Sequence, residues 1–343
     1  MTLPAPPPNR GAAATSGAAH RIAFYLAPQF SMMAFVSAVE PLRVANRLGG
    51  RALYEWVIVS AGGAPVSASN GMTLLADGML STLSGVATLV VCAGFDPGEA
   101  YGSGLRRELI RLSRSGTNIG ALDTGSFILG WSGLLDDHRA TTHWESLDSF
   151  REQFPRVQVT SHLYEVDRNR FTCAGGTAAL DLMLHWIGLQ HGRSLAAAVS
   201  EQVLHAAMRE AASAQRMKPA LRHDIRHPKL ARAVELMEGR LEEPLGTTAL
   251  AGSLGLSVRQ LERLFHQHLK LSPHRYYLDL RLQRAKALLH YSDLSVFQIA
   301  VASGFNSLAH FSRSYREWAG RPASQERREA IRRVEVATKS KAG

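Results

Sequence analysis

Ala251-Gly252-Ser253-Leu254-Gly255-Leu256-Ser257, followed by Leu261, Arg263 and Phe265, has a counterpart in Ala300-Val301-Ala302-Ser303-Gly304-Phe305-Asn306, followed by Phe311, Arg313 and Tyr315. In each copy a small residue on a short helix precedes a Gly by four positions, and an amphipathic helix then opens at a Ser or an Asn. A small residue is needed where two helices cross closely, and Gly accepts the left-handed turn that other residues resist. Ser257 and Asn306 are expected to cap the helices that follow. The spacing therefore predicts two helix-turn-helix units, each offering the exposed face of its second helix to a DNA groove. One copy alone would describe any helical hairpin. Two copies about fifty residues apart, joined by one amphipathic segment in the most basic part of the chain, set it apart from a plain helical bundle.

The joining segment, from Pro273 to Leu289, reads as a single helix with Pro where its missing N–H costs least. A rigid helix there would hold the two units in successive major grooves, about 34 Å apart. The expected DNA-facing set is Ser257, Arg259, Gln260 and Arg263 on the first unit, with Asn306, Ser307, His310 and Arg313 on the second. Arg pairs with guanine and Gln with adenine, so the first helix is the richer base reader, and the second is expected to anchor phosphates and make methyl contacts. Leu261, Phe265, Phe311 and Tyr315 are expected in the core. Charge agrees with this division: 21 basic and 12 acidic residues follow from Leu221 onward, against 18 and 17 before it. Only the second part of the chain suits a polyanion.

Ser257 through Phe265, Leu271-Ser272-Pro273, Arg281-Leu282 with Ala285, Ile299-Ala300, Gly304-Phe305 and His310-Phe311-Ser312-Arg313 resemble the DNA-binding domain of the AraC family of bacterial transcription regulators, over roughly the last third of the chain. Two positions depart from that pattern. Lys270 stands where the family usually ends a helix with Gly, and Ala323 where the final turn usually has Pro. Both concern helix ends, away from the DNA-facing positions.

Residues 1–19 are rich in Pro, Ala and Gly without an apolar run, and read as a disordered tail, not a signal peptide. From Arg21 strands and helices alternate. Ile22–Leu26, Tyr54–Ser60, Val66–Ser69, Thr88–Cys92 and Asn118–Leu122 read as strands; Ser31–Leu48, Leu105–Ser113, Thr124–Trp131, Leu180–Leu189 and Ser194 to about Gln215 read as helices. Apolar strands in repeated strand–helix units argue for a parallel sheet covered on both faces, with ligands at the strands' carboxyl ends. At one such end, Asp123-Thr124-Gly125-Ser126 carries a strand directly into a helix, the sharp elbow where many hydrolases keep a nucleophile. Asp123 is also a plausible cap for a helix starting at Thr124.

His20 to Ala212 looks like the class I glutamine-amidotransferase-like domain, PfpI type, that is fused to AraC-type modules in the GlxA group. The residues carrying the resemblance are Glu40-Pro41-Leu42-Arg43 with Asn46, Ser69-Asn70-Gly71, Asp123-Thr124-Gly125, Gly133-Leu134-Leu135, Thr141-Thr142-His143-Trp144, and Gly175-Gly176-Thr177 with Asp181. The superfamily's enzymes place Cys at the elbow with a His nearby. Here His143 is retained, the thiol is replaced by Asp123, and Phe30-Ser31-Met32-Met33 lacks the enzymes' acidic partner. A carboxylate is a far poorer nucleophile than a thiolate toward acyl carbon. Asp123, Thr124, Gly125 and Ser126, with His143, Trp144, Phe30 and Phe95, are the expected lining of a partly aromatic, partly anionic cavity suited to a small cation. Regulators of this kind with Asp-Thr-Gly at the elbow include sensors of carnitine, glycine betaine and arginine, so the resemblance implies a quaternary-amine or amino-acid effector.

The expected architecture is α/β: an amidotransferase-like parallel-sheet sandwich (20–212), a linker (213–228), an all-α domain with two helix-turn-helix motifs (229–330) and a basic tail (331–343). The expected protein is a cytoplasmic, dimeric transcription regulator, an activator by resemblance, whose partners are operator DNA, a small effector and RNA polymerase. It is expected to use no cofactor, metal or membrane. His266 and His268 point to different helix faces, Cys92 and Cys173 read as small buried residues, and no apolar run spans a bilayer. Two other readings remain open: an amidase, protease or glyoxalase-like enzyme carrying a DNA-binding domain, and an architectural DNA-binding protein with an inert first domain.

Overall fold

The computed structural model describes residues 18–217, 219–292 and 294–329. The expected tails at 1–19, apart from its last two residues, and at 331–343 lie outside them. The chain divides between Gln215 and Arg216 into two compact units.

The first unit is built on a seven-stranded sheet. Its strands are β1 (His20–Leu26), β2 (Tyr54–Ser60), β3 (Gly78–Met79), β4 (Thr88–Cys92), β5 (Asn118–Leu122), β6 (Tyr164–Asp167) and β7 (Arg170–Cys173), in the spatial order β6-β7-β5-β4-β1-β2-β3. All neighbours are parallel except β6 and β7. Every residue of β4 is buried, as a sheet covered on both faces requires. The register has one consequence for function. Leu26 lies opposite Cys92, Cys92 opposite Leu122, and Leu122 opposite Cys173, so four parallel strands end in one row and release their loops along one rim.

Five helices matter here: α1 (Met32–Gly49), α2 (Ser103–Arg114), α3 (Gly125–Trp131), α4 (Ala178–His191) and α5 (Arg193–Gln202). Ser31 caps α1, its hydroxyl accepting the Ala34 N–H, and Gly50 ends it in the left-handed region. The expected Ala-rich helix to Gln215 stops at Gln202. Helix propensity favoured continuation, but the Asp181 carboxylate, wholly buried on α4, takes hydrogen bonds from His205 and Arg209 and draws the chain out of helical geometry. The stretch expected as a linker at 213–228 is used by both units. Gln215 is hydrogen-bonded within the first, and Ile225 is buried in the core of the second.

The second unit is helical: α6 (Pro228–Glu238), α7 (Thr247–Ser253), α8 (Val258–Leu269), α9 (Pro273–Tyr291), α10 (Val296–Ala302) and α11 (Leu308–Ala319). It has two apolar cores that share α9. Tyr276 and Tyr277 join Leu230, Leu250, Leu261 and Phe265, while Leu282, Ala285 and Leu289 join Ile299, Ala300, Phe311 and Tyr315. The long middle helix is thus a common wall of both helix-turn-helix units. At 1.5 Å per residue it is about 28 Å long.

Candidate functional site

The first candidate site is the turn after β5. Asp123 has φ 58, in the left-handed region that non-Gly residues avoid, so the strand-to-helix elbow is present and strained. Its backbone is pinned from several sides. Its N–H donates to Cys173 O at 2.9 Å, and its carbonyl accepts the hydroxyls of Ser126 and Thr142, each at 3.1 Å. Thr124 reaches across to the loop after β4, its hydroxyl donating to Gly94 O at 2.5 Å. The helix begins at Gly125 with Thr124 at the cap position, one residue later than the sequence suggested, so capping does not explain Asp123.

The Asp123 carboxyl packs against Gly175, where an added Cβ would lie 2.7 Å from Oδ2; with φ +89 that position admits Gly alone. Burial pushes this carboxyl up to about 7, and the nearby Glu145 charge adds to the rise, while the Thr124 N–H and the Ser31 hydroxyl bond to the carboxylate and oppose it. His143 follows Thr142 and so sits beside the elbow; its Nδ1 lies 3.9 Å from a Glu145 carboxylate oxygen. Burial lowers the His143 pKa, favouring the neutral ring, and Glu145 partly offsets this. Trp144 is half-buried with its ring 5.4 Å from that of His143. Phe95 is exposed on the loop that also meets Gln29, whose carbonyl accepts its N–H. Phe30 is a correction: its side chain is wholly buried against Phe35, because its backbone is bridged to both Ala68 and Gly94, and it belongs to the core, not to a ligand-facing wall.

The second candidate site is the pair of helices α8 and α11. Ser257 caps α8 in a reciprocal box, accepting the Gln260 N–H while its own N–H donates to Gln260 Oε1 at 2.8 Å. Gln260 is therefore partly committed to holding the helix start. Arg259 and Arg263 are exposed, and neither makes an ion pair among the described residues. In the second unit the cap is Ser307, which accepts the His310 N–H, and not Asn306. The turn is one residue longer there, with Phe305 buried and Asn306 exposed. Ser307, His310 and Arg313 are exposed along α11. Gly255 and Gly304 both have positive φ, 60 and 76, as the repeated turn requires. Leu261, Phe265, Phe311 and Tyr315 are all fully buried.

Comparison with known proteins agrees with both halves. Residues 20–188 match the DJ-1/PfpI family and residues 250–329 a helix-turn-helix domain. The transcriptional regulator CdhR of Pseudomonas aeruginosa is 47% identical over 304 residues, covering 89% of this chain and 90% of that protein. The chain belongs to the AraC-type helix-turn-helix transcriptional regulators with an N-terminal DJ-1/PfpI domain. GbdR, a second such regulator from Pseudomonas aeruginosa, is 42% identical over 332 residues, covering 94% of this chain and 86% of its own. Among solved structures, an AraC family transcriptional regulator from Pseudomonas putida is 30% identical and superposes with a TM-score of 0.50, covering 54% of this chain and 99% of that one.

In this AraC-type regulator the residues that sequence reasoning missed are the ones that support others. Ser31 and Gly175 hold the Asp123 carboxyl, Glu145 sets its charge environment, and Arg281 on α9 braces the second turn. Ser31, Gly175 and Arg281 stand within stretches already compared with the two families, but nothing local assigns any of the four its supporting role. Each acts across tens of residues, through contacts that only the register of the sheet and the packing of α9 bring together.

Proposed function

We propose that this DNA-binding transcription regulator reads operator DNA through α8 and α11, and that a small cationic metabolite bound at the Asp123 elbow controls it. Ser257, Arg259, Gln260 and Arg263 face the first half-site and Asn306, Ser307, His310 and Arg313 the second. It acts in the cytoplasm as a homodimer and an activator, with RNA polymerase as a further partner. Asp123, Thr124, Gly125 and Ser126 form the floor of the effector site, with His143, Trp144 and Phe95 at its side.

The observation that carries the ligand reading is a carboxyl group, in place of a thiol, at a strained elbow on the rim where four strands end. A carboxylate there offers charge to an ammonium group, and the Trp144 face would add about 0.5–2 kcal/mol. Thiol chemistry has no candidate nucleophile in its place. Both cysteines are buried, and burial pushes their thiols up, Cys173 to about 12, so neither forms a thiolate near neutral pH. The buried thiols favour the sensor reading over an amidase or protease. Calorimetry of the full chain with carnitine, glycine betaine and arginine tests it. Binding of one of them, lost in Asp123→Ala, is the expected result; no heat with any, or equal affinity in the variant, overturns it. In the reading helix, Arg259→Ala is expected to cost about 1–3 kcal/mol and to relax base choice at one operator position, measured by binding to a library of operator variants.

A further inference from the structure

Beyond α5 the chain stays on the first unit for another thirteen residues before it reaches the second, and its path is defined by side chains that also frame the elbow. Arg209 binds the buried Asp181 carboxylate three times, through its N–H at 2.8 Å, Nε at 2.9 Å and Nη2 at 2.6 Å. Nη2 also donates to the Thr177 hydroxyl at 2.8 Å. Thr177 lies two residues beyond Gly175, the residue on which the Asp123 carboxyl rests. Next, the Leu163 N–H donates to Ala211 O at 2.9 Å, and Leu163 O in turn accepts the Ala174 N–H at 2.8 Å. Finally the Gln215 amide donates from Nε2 to Thr141 Oγ1, Thr142 O and His162 O, at 2.9, 3.0 and 2.8 Å. Thr142 is the residue whose hydroxyl bonds the Asp123 carbonyl. Gln215 is the last residue of the first unit, and Arg216 the first of the second.

We propose that residues 205–215 are a strap that carries the state of the Asp123 elbow to the DNA-reading unit, with Arg209 and Gln215 as its positioning residues. The strap is held at both sides of the elbow, at Thr177 and at Thr142, and is fixed between them through Leu163. Its first anchor is an ion pair on a buried carboxylate, costly to break; its last is one neutral amide on three acceptors beside a single backbone bridge between Ala214 and His162, much weaker. A shift of the 141–142 segment, which a ligand on the elbow would bias, is therefore released at Gln215 and not at Arg209. The two arrangements, Gln215 bonded or free, differ in how the chain leaves the first unit, and an effector with different affinity for them moves the equilibrium. The proposal rests on the reading of the elbow as the effector site, but its test does not need the effector.

The test is a double-mutant cycle on the full chain, using a duplex selected from a random-sequence pool by the wild-type protein and read by fluorescence anisotropy. Asp123→Asn perturbs the elbow, and Gln215→Ala unfastens the strap. In the wild-type background Asp123→Asn is expected to change the duplex Kd about fivefold or more. In the Gln215→Ala background the same substitution is expected to have little effect. Hydrogen exchange of amides 209–215 is expected to change in Asp123→Asn, which a merely structural Gln215 would not produce. Equal fold-changes in both backgrounds, or an Asp123→Asn protein with unchanged Kd and unchanged strap exchange, overturns the proposal. Should Gln215→Ala lower the unfolding midpoint, Gln215→Met replaces it in the cycle, because it keeps the length of the side chain while losing the N–H donors to Thr141, Thr142 and His162. A calorimetric failure of all the amines, with coupling intact in the cycle, rejects the cationic ligand and leaves the strap standing.

Discussion

Asp123 is held in a conformation and an ionisation state that both cost free energy. Its positive φ is strained, and its carboxyl titrates near 7 instead of at 3.8. The raised value fixes the direction of two pH effects. Between about pH 4 and 7 the folded chain binds a proton at Asp123 that the unfolded chain has lost, so this group's contribution to stability falls as pH rises through that window. In Asp123→Asn that part of the fall is expected to be absent, which urea unfolding at pH 5 and pH 8 would read. Cation binding runs the other way. Only the ionised carboxyl attracts an ammonium group, so affinity for a quaternary amine is expected to rise with pH to about 7 and then level, losing up to about tenfold per unit below it. An affinity independent of pH between 5 and 8 would place the cation elsewhere. The elbow itself was legible from its residues, because a strand running into a helix over Asp-Thr-Gly-Ser has few other shapes. The shift was not legible, since Ser31, Glu145 and Gly175 come from three other segments. Phe30 was misjudged for the same reason: an aromatic on a rim loop looks like a ligand wall until its backbone bridges show it turned inward.

At the scale of elements, α9 does more than separate two reading helices. Arg281 leaves it to donate from Nε to Ser303 O at 2.9 Å and from Nη2 to Gly304 O at 2.6 Å, with its guanidinium 4.1 Å above the Phe305 ring. A Cβ at Gly304 would lie 2.5 Å from Leu241 O, so the second turn is also pressed against the segment that precedes α7. The turn before α11 is thus oriented by α9 and by the loop between α6 and α7 at once. Arg281→Ala is expected to cost about 2–4 kcal/mol, from two charge-assisted hydrogen bonds and the ring contact. Its effect on DNA should be lopsided: footprint protection is expected to weaken over the half-site of α11 and persist over that of α8. Uniform weakening would mean that Arg281 supports the whole unit and not the second reader. The helices were readable because their apolar periodicity, Gly turns and Ser caps agree. The slip from Asn306 to Ser307 arose because two adjacent residues are both good caps, and burial of Phe305, a tertiary fact, decides between them. The Ala-rich helix beyond Gln202 failed for the opposite reason, with local propensity overruled by one buried carboxylate.

For the whole molecule the decisive quantity is where the charge lies. The second part carries nearly all of the excess, 21 basic against 12 acidic residues from Leu221 onward, while the first is close to balanced. Many of its arginines are consumed internally: Arg222 pairs with Glu238, Arg275 with Asp279 and Arg321 with Glu326 and Glu329. Arg259, Arg263 and Arg313 are exposed and make no ion pair among the described residues, so they remain available to phosphates and bases. Each phosphate that a side chain neutralises releases condensed counterion, and contributes about −0.9 to the slope of log K against log salt concentration. Measured on the full chain with a non-cognate duplex, where base readout is absent, Arg259→Ala and Arg313→Ala are each expected to make the slope shallower by about 1. Arg106→Ala, which removes an exposed charge from α2 of the first unit, is expected to leave it unchanged. On the selected operator the two reader variants should part company, because Arg259 lies on the helix with more base-edge donors and Arg313 on the one expected to anchor the backbone. Arg259→Ala should then lose specificity as well as slope, and Arg313→Ala slope alone. A slope that Arg106→Ala reduces as much as Arg313→Ala would show that the first unit shares the phosphate contacts, and that the division of charge along the chain is not a division of labour.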